Sequence, residues 1–184
     1  MCLNVYYALF YSHLTYGINV WALTSNDNLN KIEILQNKCV RILTHSDFDA
    51  HANPLYLNLQ LLKVHDIIML NHIIFTYQFT KNCLPTDIQG LFSFSRDIVT
   101  SNMNLGSIRK NHLIIPRINN DFSGTKSLRY KCPSIWNNFM NDISSKKILL
   151  SANPNDNLDL DKINNVHQLK RKLKLHFLHK YLLS

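Results

Sequence analysis

Apolar residues recur at steps of three and four along one stretch of this chain, and that spacing constrains its folding most. The recurring residues are Leu29, Ile32, Leu35, Cys39, Ile42 and Leu43. Residues at this spacing share one face of an α-helix, whereas Lys31, Lys38 and Arg41 fall mostly on the other side. The pattern predicts a helix over residues 29–44 with an exposed basic flank. Only four glycines occur in the chain, which argues against a turn-rich, all-β fold.

Other apolar segments predict further helices. Residues 63–81, rich in Ile and Phe, predict a central helix that ends before Leu84-Pro85, because proline disfavours helical backbone in the residue before it. Proline also suits the first turn of a helix. We therefore expect a short helix from Pro54 to residue 59 and another that begins at Pro133. A last helix is expected over residues 164–182.

Two short runs of alternating polarity, residues 112–118 and 125–131, predict a β-hairpin across a turn at residues 119–124. The expected fold is therefore mainly α, a helical bundle-like core with a small β-hairpin before the C-terminal helices. Four regions follow from this reading. They are a helical region at 1–92, a region of loop, hairpin and short helix at 93–150, a polar linker at 151–161, and a basic C-terminal helix at 162–184.

Residues 1–26 contain no Asp, Glu, Lys or Arg, and a stretch of that length raises the question of a membrane span. Polar residues within it, among them Asn4, His13 and Asn19, argue against a span, and neither the basic region nor the cleavage site of a signal peptide is visible. We expect instead a helix buried on several sides, with a break or close contact at Gly17. Such a helix normally packs against a preceding segment, which indicates a piece of a longer protein.

Basic residues exceed acidic ones, with twenty Lys and Arg against twelve Asp and Glu and a net charge of +8. An excess of this kind favours polyanionic partners such as RNA or DNA. Two groups of cations are candidate nucleic-acid-binding residues. They are Arg109, Lys110, Arg117, Lys126, Arg129 and Lys131 around the predicted hairpin, and Lys170, Arg171, Lys172 and Lys174 in the last helix. The alternative for each group is an ordinary solvated surface.

Neither a metal site nor a cofactor site is indicated by residue spacing. The cysteines are far apart in sequence, at Cys2, Cys39, Cys83 and Cys132. Unpaired spacing is typical of reduced thiols in a cytosolic or nuclear protein. The densest cluster of metal-ligand residue types is His45, Asp47, Asp49 and His51. Such residues after a helix more often cap it or contact water. We therefore predict no catalytic residue, no metal and no cofactor.

Several short motifs, taken in order, are similar to one known family. The first are Tyr7, Ser12-His13-Leu14-Thr15-Tyr16-Gly17, Trp21, Leu35-Gln36-Asn37-Lys38 and Arg41-Ile42-Leu43. The later ones are Pro54-Leu55, Leu62, Leu84-Pro85, Pro116-Arg117, Ser127-Leu128-Arg129-Tyr130, Pro133-Ser134-Ile135-Trp136-Asn137 and a basic stretch from Leu169 to Tyr181. Their order resembles the region that follows the polymerase palm in non-LTR (LINE-type, jockey-like) retrotransposon reverse transcriptases.

The resemblance implies a thumb and C-terminal region, which in that family helps to hold template RNA and primer, with residues 1–92 as the thumb-like part. The family's polymerase centre contains adjacent aspartates that bind two metal ions, and no two aspartates are adjacent in this chain. We therefore expect a non-enzymatic, catalytically incomplete fragment. Its expected partners are RNA or DNA and a separate palm-containing chain, without a membrane. The alternative is a small helical protein-interaction module that does not bind nucleic acid.

Overall fold

The computed structural model describes residues 2–95, 111–119, 124–144, 163 and 165–182. Within these ranges the protein is mainly α-helical, as predicted, and contains no β-strand. An isolated antiparallel bridge joins Phe94 and Leu113. The chain divides into two compact units, the first formed by Met1–Asn71 with Arg171–Ser184 and the second by His72–Lys170. The boundaries between the units therefore fall within two helices.

The helices are α1 (Cys2–Val5), α2 (Ser12–Thr15), α3 (Ile18–Trp21), α4 (Asn26–Thr44), α5 (Ala52–Asn58), α6 (Val64–Thr80), α7 (Thr86–Gln89), α8 (Leu128–Ser144) and α9 (Val166–Leu182), with a π-helical turn, Tyr6–Tyr11, between α1 and α2. The predictions over 29–44, 63–81 and 164–182 are confirmed as α4, α6 and α9, with ends shifted by a few residues. The short helix expected from Pro54 is α5, which begins two residues earlier.

The helical stretch at the start of the chain breaks at Gly17, as predicted. Gly17 has a φ of 60°, a left-handed conformation that glycine adopts without steric cost, and it separates α2 from α3. The buried side chains of this helical stretch include Tyr6, Leu14 and Ile18. Those exposed are Val5, Tyr7, Leu9, Tyr16 and Val20. The prediction of burial on several sides is therefore wrong, because the described residues of this unit cover one side only.

Helix α4 buries a different face from the one that its apolar spacing predicts. Leu29, Gln36 and Val40 are buried, whereas Leu35 and Ile42 are exposed. A glutamine is buried only where its amide finds partners, and Gln36 has three. The three hydrogen-bond partners of Gln36 lie far from it in the sequence. Apolar periodicity within α4 therefore could not reveal which face packs inward.

The second unit is built around aromatic side chains. Phe79 packs against both Phe92 and Phe94, with ring centroids 5.2 and 5.4 Å away. In α8, Trp136 and Phe139 are both buried, with ring centroids 5.8 Å apart. The bridge from Phe94 to Leu113 and the hydrogen bonds between Leu113 and Asn137 place the start of the extended segment 111–118 beside α8.

The predicted β-hairpin is wrong, because neither of its two runs forms a strand, and the first has only the isolated bridge at Leu113. Residues 125–131 instead make a turn and the first residues of α8, and the backbone N–H groups of Tyr130 and Lys131 both donate to Ser127 O. Cys132, Trp136 and Phe139 are buried at helical spacing, and that burial outweighs the weak alternation that precedes it. Pro133 consequently lies inside α8 rather than at its start.

The membrane question has a direct answer for the described part of the chain. No helix in it is both long and apolar enough to cross a bilayer. The predicted linker at 151–161 lies outside the described residues, as does most of the loop expected after residue 93.

Candidate nucleic-acid interface

A buried glutamine organises the first unit. The Gln36 amide nitrogen donates to Tyr6 Oη and to Leu62 O, each at 2.9 Å, and its oxygen accepts from the Val64 N–H at 2.8 Å. Both amide protons and one oxygen lone pair are therefore used in a side chain without solvent exposure. Desolvation by burial raises the pKa of Tyr6 to about 12, so this hydroxyl stays protonated at neutral pH. Gln36 thus serves structure rather than ligand binding.

Tyr181, near the end of α9, is held in the same unit by two hydrogen bonds. Its hydroxyl accepts from the Lys63 N–H at 3.0 Å and donates to the buried carboxylate of Asp66. Burial, and then the charge of Asp66, raises the pKa of Tyr181. Lys63 Nζ also lies 5.2 Å from the centre of the Tyr181 ring, within cation–π range. These contacts fix the rotation of α9 and therefore decide which of its residues face solvent.

In the second unit, one asparagine clamps the extended segment onto α8. Asn137 donates to Leu113 O at 2.8 Å and accepts from the Leu113 N–H at 2.9 Å. The Trp136 indole N–H donates to Asn111 O at 2.8 Å. The side chains of Gln36, Tyr181, Trp136 and Asn137, all within the motifs described above, therefore determine the fold.

The described members of the first predicted group of cations are distributed over two segments of the chain. Arg109 and Lys110 lie outside the described residues. Arg117 is exposed in the extended segment, and Lys126 is half-buried in the turn before α8. Arg129 and Lys131 are exposed but stand two positions apart on α8, which separates them by about 200° around the helix axis.

The second group lies on a single helix. Lys170 and Arg171 are exposed on α9, and Lys172 and Lys174 are half-buried. The opposite side of α9 is buried through Leu169, Leu173, Phe177 and Tyr181. No acidic residue occurs within Val166–Leu182. Lys170, Arg171 and Lys174 project within about 100° of one another around the helix axis, whereas Lys172, two positions from Lys170, lies about 200° from it.

A cleft that sequence reasoning missed lies at the end of α4. It has a volume of about 510 Å³ and is lined by Lys38, Arg41, Ile42, His45, Ser46 and Phe48. The sequence predicts only an exposed basic flank at Lys38 and Arg41, and capping or water contact for His45. The sequence signal for this cleft is Phe48, a large apolar residue among the polar residues that follow the basic helix.

Two kinds of reactive group predicted or weighed from the sequence, metal ligands and cysteine thiols, have a defined environment in the described residues. No three of their His, Cys, Asp and Glu side chains are grouped to hold a metal ion, so His45, Asp47, Asp49 and His51 do not converge. Cys132 is fully buried, and burial raises the pKa of its thiol to about 12, which keeps it protonated and unreactive at neutral pH.

No family model, curated protein or solved structure matches this chain. Function must therefore be argued from the side chains themselves. Within the described residues, α9 combines exposed cations, Lys170 and Arg171, with a helix that contains no acidic residue.

Proposed function

We propose that the chain is the thumb and C-terminal region of a LINE-type reverse transcriptase, catalytically incomplete by itself, that binds RNA or DNA without sequence preference. One observation carries the binding function: α9 exposes Lys170 and Arg171, with Lys174 half-buried on the same side and no acidic residue in the helix. Cations grouped on a rigid element attract phosphates and release the counterions condensed on them. This term does not depend on base sequence.

The family assignment rests on the ordered motifs in the sequence, and the fold gives them a physical meaning. Gln36 and Asn37 of one motif make buried or half-buried hydrogen bonds, the latter by accepting from Tyr56 Oη at 2.9 Å. Trp136 and Asn137 of a later motif likewise make half-buried hydrogen bonds in the second unit. Motifs built from such residues identify a fold, so they support a shared architecture rather than a reaction.

Catalytic incompleteness is proposed from what polymerisation requires. Nucleotide transfer needs carboxylates that hold two divalent ions about 4 Å apart. Adjacent aspartates, which supply them in the family, do not occur anywhere in this sequence. A palm-containing chain would have to provide that centre.

The test is fluorescence-anisotropy binding of the purified chain to single-stranded and structured RNA at two salt concentrations. Four phosphate contacts, each releasing about 0.7 counterion, reduce affinity by about fiftyfold when salt rises from about 50 to about 200 mM. A Lys170→Gln/Arg171→Gln variant should flatten the log–log salt slope by about 1.4, from two lost contacts. A Lys31→Gln/Lys81→Gln variant removes the same charge from exposed positions elsewhere and should change the slope less. Equal losses in both variants would mean that net charge, not α9, drives binding.

A second candidate function, a protein-interaction module, is favoured by a specific observation. Val5, Leu9 and Val20 are exposed in a stretch without charged residues, and exposed apolar groups of this kind commonly mark protein contacts. Analytical ultracentrifugation across a range of concentrations separates the two functions. A folded chain that self-associates and fails to bind RNA at low salt would replace the proposed function with this one.

A further inference from the structure

The last turns of α4 carry basic and apolar side chains on one side. Lys38, Arg41 and Ile42 stand at positions i, i+3 and i+4, so they project from the same side of α4, and His45 follows as the left-handed residue that ends the helix. Together with Ser46 and Phe48 they line the cleft of about 510 Å³. The spacing explains why two basic side chains and one large apolar side chain of α4 meet in one place.

The loop that carries Phe48 is tied down on both sides. Arg41 Nε donates to Ala50 O at 3.0 Å, which uses one of the five guanidinium donors. The Ser46 N–H donates to Arg41 O at 3.0 Å, and the Thr44 and Ser46 hydroxyls lie 2.8 Å apart. Phe48 therefore belongs to a closed loop whose ends are held to α4.

Two large apolar side chains of the cleft remain exposed to water. Phe48 is 77% exposed and Ile42 is 73% exposed. An exposed aromatic ring beside cations suits a ligand with a flat π-face and a nearby negative charge, because the ring stacks on the face while the cations neutralise the charge. Successive bases of a single strand stack on exposed aromatic rings of this kind, and cations beside the ring contact the backbone phosphates.

Groups that oppose an anion lie near the cleft, because Asp47 and Asp49 are exposed on either side of Phe48 in the sequence. A helix C-terminus repels anions through its free carbonyl groups, but the Arg41 and Ile42 carbonyls accept hydrogen bonds from the Ser46 and His45 N–H groups. Asp47 and Asp49 lie in the same loop but do not line the cleft.

We propose that this cleft binds one nucleotide of single-stranded nucleic acid, with the base against Phe48 and Ile42 and the phosphate held by Lys38 and Arg41. The inference rests on the proposed function for its ligand class, but it uses residues outside both groups of cations predicted from the sequence. It adds base stacking to a binding mode that α9 supplies through charge alone.

The experiment measures anisotropy binding of labelled oligouridine and oligothymidine decamers, and of an abasic deoxyribose-phosphate decamer, at about 50 mM salt. Phe48→Ala should weaken both base-containing decamers by about five- to hundredfold, the range for one lost stacking contact, and leave abasic binding unchanged. Lys38→Ala should weaken binding of all three decamers.

Tyr16→Ala is the matched aromatic control, since Tyr16 is 85% exposed in the same unit, and Lys31→Ala is the matched charge control. Circular dichroism checks that each variant is folded.

The outcomes separate the cleft from the proposed function. If Phe48→Ala binds all decamers like the wild type, or if Tyr16→Ala weakens binding equally, the cleft assignment is wrong. If only the Lys170→Gln/Arg171→Gln variant loses affinity, the cleft is also wrong while the proposed function stands. If the folded wild type binds no decamer, both are wrong. Preferential binding of a labelled peptide of alternating Asp and Phe, lost in Phe48→Ala, would reassign the cleft to a protein ligand and overturn the proposal.

Discussion

Replacing Gln36 by leucine tests whether the buried amide holds the first unit together. The substitution keeps the side chain's size but leaves Tyr6 Oη, Leu62 O and the Val64 N–H without the partner that each now has. An unsatisfied buried polar group costs about 1–3 kcal/mol, so three of them should lower the free energy of unfolding by at least about 3 kcal/mol. For a chain of this size, that loss lowers Tm by roughly 6–12 °C.

Urea unfolding followed by far-UV circular dichroism measures this loss. Gln168→Leu is the matched control, because Gln168 is exposed on α9 and the same substitution there should change stability by less than about 0.5 kcal/mol. Gln36→Glu provides a second check, since an ionised carboxylate cannot donate to Leu62 O and should destabilise more than leucine at neutral pH. If Gln36→Leu unfolds within about 0.5 kcal/mol of the wild type, the network does not hold the unit and the reasoning fails.

Two further predictions concern buried hydroxyl and thiol groups. Tyr181→Phe removes the hydrogen bonds to Lys63 and Asp66. It should lower the free energy of unfolding in urea by about 1.5–3 kcal/mol, as is usual for a bond to a charged partner. An unchanged unfolding midpoint would contradict the described rotation of α9. Cys132 and Tyr6 have folded pKa values of about 12, above their ordinary values of 9.0 and 10.0. Only the unfolded chain ionises between these limits, so stability should fall as pH rises from about 9 to 12. Less steep alkaline unfolding in a Cys132→Ala variant, compared with Cys83→Ala, would support the assignment, and identical pH profiles would refute it.

If both nucleic-acid proposals hold, the protein combines two kinds of contact. The α9 cations would set affinity through phosphates, with strong salt dependence, whereas the α4 cleft would add a base contact that salt affects little. Comparing base-containing and abasic oligonucleotides at two salt concentrations distinguishes these contributions within one protein.

Local sequence patterns were sufficient for the main helices. The spacing in residues 29–44, the Ile- and Phe-rich run at 63–81 and the amphipathic segment at 164–182 correspond to α4, α6 and α9. Helix formation depends on neighbours three and four positions away, so a single sequence contains the necessary information. The break at Gly17 and the basic, acid-free character of α9 are equally readable, since conformational freedom and charge belong to the residues themselves.

Tertiary structure decided which faces are buried and which side chains meet. Gln36 is buried because its partners, Tyr6, Leu62 and Val64, lie 26–30 residues away in the chain, a distance that no local pattern reports. The alternation at 125–131 suggested a strand, but burial of Trp136 and its neighbours on one side of α8 made the segment helical. The cleft beside Phe48 likewise exists only because Arg41 holds the loop against α4. Periodicity thus determined the elements, whereas hydrogen bonds and packing between distant residues determined the surfaces on which a function can be proposed.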